Sequence, residues 1–98
     1  MLNSALLQSI LVEVLEGNRF LVNEVVTDND YIKVYATKAL SSWSFTFNLE
    51  QQCLKVTREE CDWPVVIYLS HFLENLSQRG GEEEFTRVLG GLIKSLPL

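Results

Sequence analysis

A chain of 98 residues has room for one domain of ordinary size, and with 47% hydrophobic and 21% charged residues it belongs with folding sequences, not with disordered tails or charged linkers. The formal charge of -5 and a pI near 4.7 oppose the basic footprint that a phosphate backbone requires, which argues against DNA or RNA as a partner. Two cysteines are too few for a disulfide framework, and no apolar run reaches the ~20 residues of a membrane span. The apolar N-terminal stretch carries Glu13 and Glu16 and has no basic region before it, unlike a signal peptide, so a cytoplasmic location without membrane contact is expected.

Over residues 4–16, Leu6, Leu7, Ile10, Leu11, Val14 and Leu15 recur at helical spacing, with Gln8, Ser9, Glu13 and Glu16 on the other side. Asn3 or Ser4 can cap this amphipathic helix, and Gly17 followed by Asn18 supplies a left-handed stop. The period then changes. Asp28, Asn29 and Asp30 tolerate left-handed turn positions and predict a hairpin between strands at 20–27 and 31–39.

Trp43, Phe45, Phe47 and Leu49 alternate with Ser44, Thr46, Asn48 and Glu50, which predicts a strand with one buried face over 43–50. A two-residue Gln51-Gln52 loop to a strand at 53–58 would set Leu49 beside Leu54 and Phe47 beside Val56. Asp62 and Pro64 predict the start of a helix running to about residue 78, with Val65, Leu69, Phe72, Leu73 and Leu76 as its apolar stripe. After Gly80 and Gly81, Glu82, Glu83 and Glu84 suit a helix N-terminus, and Phe85, Val88, Leu89, Leu92, Ile93 and Leu96 continue it. Gly90 and Gly91 weaken that helix by roughly 1 kcal/mol each relative to alanine. The expected architecture is α+β: an N-terminal helix, a four-stranded antiparallel meander and two C-terminal helices, forming one domain over 1–98.

Chemistry-bearing constellations are sparse. His71 falls on the polar arc of its helix, and most of nine helical residues separate it from Cys61, too far for a nucleophile and base. Cys53, Cys61 and His71, spaced by eight and ten residues, match no zinc pattern, and the paired glycines lack the lysine of a phosphate loop. No cofactor or metal is therefore expected. Glu24 stands out, because a turn that sets Thr27 opposite Tyr31 would aim it into the core with Val22 and Val26. A bulge, a slipped register or an edge position would resolve the conflict; a buried acid with a binding role is the alternative.

Tyr31, Lys33 and Tyr35 alternate on the opposite sheet face in a pattern superficially similar to RNA-binding sheets, but the consensus of those sheets is absent. Helix, meander and two helices, over most of the chain, resemble in outline small secretion-chaperone and regulatory α+β domains, without a motif specific to any of them. Three apolar helical stripes against a sheet that accommodates about two leave one over. Leu21, Val25, Tyr31 and Tyr35 on the second sheet face, and Ile67 within a polar helical arc, add further exposed apolar surface. The expectation is a self-associating protein-interaction or regulatory module, a homodimer without catalytic chemistry. The alternatives are a three-layer monomer, a partner-specific chaperone, or a small-ligand binder or small enzyme using a pocket near Glu24 and His71.

Overall fold

The first helix, α1 (Ser4–Gly17), forms where the leucine spacing predicts it, and buries Leu7, Ile10, Leu11, Val14 and Leu15. The computed structural model describes residues 4–61, 64–76 and 78–96, so Asn3, one of the two expected caps, lies outside it. At the other end the left-handed residue is Arg19, at φ 68°, and not Gly17 or Asn18. The Phe20 N–H donates to the Leu15 carbonyl at 3.0 Å and the Arg19 N–H to that of Glu16 at 3.1 Å, the paired bonds of a Schellman ending. Phe20 and Leu15 are both buried, so the helix stop is also a core contact. That contact holds a non-glycine residue in a conformation costing roughly 1–2 kcal/mol.

The sheet has five strands in the order of the chain: β1 (Leu21–Thr27), β2 (Tyr31–Lys38), β3 (Ser41–Asn48), β4 (Cys53–Arg58) and β5 (Val65–Tyr68), each antiparallel to its neighbours. The meander is therefore α+β as expected but one strand larger. Residues 65–68 were expected in a helix; three β-branched residues followed by tyrosine favour an extended backbone instead. The β4 edge also offers backbone groups that need partners, and pairing Ile67 with Leu54 satisfies them while placing Ile67 on the core. Only a short helix remains, α2 (Ser70–Glu74), with Leu69 buried just before it; Asp62, the expected cap, is outside the described residues.

Two registers differ from expectation. Between β3 and β4 the partners are Phe47 with Leu54 and Phe45 with Val56, a shift of two that keeps every face. The turn is longer because the Asn48 side chain accepts from the Gln51 N–H at 2.8 Å and Gln52 takes φ 54°. Between β1 and β2, Val22 stands opposite Ala36, but Thr27 stands opposite Ile32 and Glu24 opposite Tyr35, with the irregularity between Val22 and Glu24. A bulge at Asn23 thus turns Glu24 and Val26 outward and Val25 inward.

Both long helices pack on one face of the sheet, α1 against α3 (Gly81–Lys94), over Ile32, Val34, Trp43, Phe45, Phe47, Leu54 and Val56. Phe85 of α3 reaches Phe47 at 6.3 Å between ring centroids. Leu49 and Phe72, expected within the core, are half-buried and packed against it. The α3 backbone runs unbroken through Gly90 and Gly91. At one end of the core, Arg58 lies over the Trp43 ring at 5.6 Å and 3.4 Å from the Glu60 carboxylate, while the buried Trp43 Nε1 has no acceptor among the described residues.

Candidate interaction surface

With α1 and α3 on one face, the pleat sends alternate residues of every strand to the other. Across that outer face run Glu24, Tyr35, Ser44 and Thr57, then Val26, Lys33, Thr46, Lys55 and Val66, then Tyr31, Asn48, Cys53 and Tyr68. The middle is polar, with Ser44 and Thr57 hydrogen-bonded across their strands, and at the β1 margin the Asn23 amide donates to the Thr37 hydroxyl at 2.7 Å. Lys33 lies 5.1 Å from the centroid of Tyr35. A shallow depression of about 290 Å³ is lined by Tyr35, Ser42, Trp43, Ser44, Thr57, Arg58 and Glu59. Its polar groups are hydroxyls, the Glu59 carboxylate and the Arg58 guanidinium, and the buried Arg58 Nε and Trp43 Nε1 have no hydrogen-bond partner among the described residues.

Apolar exposure is concentrated at the two margins of the sheet. Leu21 is 68% exposed on β1, and Tyr68 is 72% exposed on β5 beside exposed Val65 and Val66. Leu40, fully exposed, occupies the β2–β3 turn.

Of the surface expected from the sequence, Leu21, Tyr31, Lys33 and Tyr35 do share the outer face. Val25 and Ile67 do not, because the bulge and the fifth strand turn both toward the core, where each packs half-buried. Val66 and Tyr68 take their place, residues that a helical reading of 64–78 concealed. The signal was present in the run Val65, Val66, Ile67 and Tyr68 directly after a proline, four strand-favouring residues together.

The chain matches no protein-family model, no curated protein and no solved structure. Glu24 lies exposed on the outer side of β1, whereas His71 lies exposed on α2, which follows β5 at the opposite margin. Four inter-strand spacings of about 4.8 Å separate those margins, so the sheet does not bring Glu24 and His71 together. His71 meets the Phe72 ring edge-on at 5.5 Å. Cys53 is buried and Cys61 half-buried. Among the described residues no cluster of histidine, cysteine and carboxylate groups could hold a metal ion, and no helix is long and apolar enough to cross a membrane.

Proposed function

We propose that the protein is a small interaction or regulatory module that associates with itself and performs no catalysis of its own. The observation that carries this reading is the one-sided packing of the sheet. Both long helices cover a single face, and exposed Leu21, Tyr35, Val66 and Tyr68 flank a polar centre on the other. No surplus helix is left over to motivate a dimer, since part of the expected second helix is β5. Uncovered sheet margins supply the reason instead.

A catalytic reading has less support, because Glu24 and His71 sit at opposite margins. Two cysteines, too few for a disulfide framework, favour a reducing compartment such as the cytoplasm, and the net charge of -5 disfavours nucleic acid. Sedimentation equilibrium from about 10 µM to 1 mM tests the reading, a range suited to the weak interfaces that small patches form. The expected result is a mass rising from 11.2 kDa toward twice that value. A constant 11.2 kDa throughout would overturn it.

A further inference from the structure

The two edges of the sheet are protected differently. β1 carries a bulge at Asn23 and the charge of Glu24, both devices that discourage pairing with another strand. β5 carries neither: Val65, Val66, Ile67 and Tyr68 contain no charge, and three of the six large hydrophobic residues exposed among those described lie in this strand. It is short, which limits its reach, but nothing in its side chains blocks addition of a strand.

The backbone of β5 has a definite polarity of hydrogen bonding. The Leu69 N–H donates to the Gln52 carbonyl at 2.9 Å, in register with the pairing of Ile67 with Leu54 and Val65 with Val56. Antiparallel ladders alternate, so Val65, Ile67 and Leu69 turn their N–H and C=O groups to β4, and Val66 and Tyr68 turn theirs to the open edge. Pro64, which has no N–H to offer, falls on the outward alternation as well.

Resting on the proposal of self-association, we infer that the partner is a second copy of this chain, joined edge to edge through β5 about a two-fold axis at Ile67. In that register the Val66 N–H donates to the Tyr68 carbonyl of the second copy, and its Tyr68 N–H donates back to the Val66 carbonyl; the axis repeats both bonds. Directly opposed residues of an antiparallel pair share a face. Val66 therefore lies beside Tyr68 of the second copy on the outer face, and the two Ile67 side chains meet on the helix side. There they extend the row Phe47, Leu54 and Ile67 into the other protomer. A register displaced by one residue would oppose side chains of opposite faces; one displaced by two would either set Pro64 against Tyr68 and lose a hydrogen bond, or set Val66 against Ser70, which already belongs to α2. Only the register centred on Ile67 satisfies all the outward groups of Val66 and Tyr68.

The chain's acidity weighs against random association of copies, but this edge brings no carboxylate of the strand against another. A four-residue strand offers much less than the ~800 Å² per partner of a standard interface, so the dissociation constant falls in the range of roughly 10 µM to 1 mM.

Val66→Pro is the test, because it removes an outward N–H and leaves the ladder to β4 intact. Sedimentation equilibrium of the parent and of Val66→Pro, with thermal melting of each to confirm folding, should show a concentration-dependent dimer for the parent and at least a tenfold weaker one for the variant. Amide hydrogen exchange on the unaltered protein is the second measurement. The Val66 and Tyr68 amides should gain protection as concentration rises through the dimer range. A parent that dimerises while those amides exchange freely, or a folded variant that dimerises as well as the parent, would overturn the β5 interface and leave self-association standing. A parent that stays monomeric would overturn both.

Discussion

The rings of Phe20 and Phe45 meet edge to face at 5.2 Å between centroids, which ties the residue that ends α1 to the centre of the sheet. Trp43 stacks nearly parallel to Phe45 at 6.1 Å and meets Phe20 at 89°, so three aromatic rings close this end of the core. Phe45 is fully buried. Phe45→Ala is expected to cost about 3–5 kcal/mol, a large share of a small domain's stability. Urea denaturation measures the loss; a change below about 1 kcal/mol would mean that the ring is not packed as described.

Glycines 81 and 91 should respond to alanine in opposite directions. A Cβ at Gly81 would overlap the backbone carbonyl of Asn75, where the start of α3 closes onto the turn after α2, so Gly81→Ala should destabilise by about 1–3 kcal/mol. A Cβ at Gly91 meets nothing within 4 Å, and this position lies inside a helix, so Gly91→Ala should stabilise by about 1 kcal/mol. Thermal melts of the two variants, run side by side, show whether the signs are opposite.

The turn between β2 and β3 holds two non-glycine residues in left-handed conformations, Ala39 at φ 52° and Leu40 at φ 67°. Those are the dihedrals of a two-residue hairpin turn in which Asn-Gly is the favoured pair. Leu40 is fully exposed, so its side chain contributes no packing here. The double substitution Ala39→Asn, Leu40→Gly should raise stability by about 1–2 kcal/mol, as measured by the urea midpoint. An unchanged midpoint would show that the turn stores no strain.

The two thiols should be distinguishable by accessibility. Cys53 is buried and Cys61 is half-buried, so an aromatic disulfide reagent should modify Cys61 in the native protein and reach Cys53 only as the structure opens. Denatured protein, kept unreduced, should titrate both. Mass spectrometry of partly modified protein assigns the order, and faster labelling of Cys53 would contradict its burial.

Much of the fold was legible because amphipathic period reports which face a residue occupies. The alternation from Trp43 to Leu49 identified the inner side of β3, and the spacing of Leu7, Ile10, Leu11 and Val14 identified that of α1. Register was less legible. Shifting β4 by two residues changes every partner of β3 but no face, so the pattern alone could not choose Leu54 over Val56 opposite Phe47. The proposed surface was legible only in part: Leu21, Tyr31, Lys33 and Tyr35 follow from alternation, whereas Val66 and Tyr68 required knowing that residues 65–68 form a strand.

Glu24 marks the boundary between what the chain itself determined and what tertiary structure decided. Its conflict with a regular hairpin followed from side-chain alternation, because a carboxylate facing the core without a partner is costly, but the sequence left a bulge, a slipped register, an edge position and a buried acid all open. The bulge at Asn23 supplies the irregularity. It lets Val22 and Val25 both pack inward while Glu24 reaches water opposite Tyr35. Likewise, the run Val65, Val66, Ile67 and Tyr68 determined only that the segment was apolar and strand-favouring. The choice of strand over helix came from β4, because its edge groups acquire partners only when an extended chain lies beside them. Local pattern records the preference of each side chain for water or core, whereas register, bulges and strand partners are set by hydrogen bonds between segments distant in the chain.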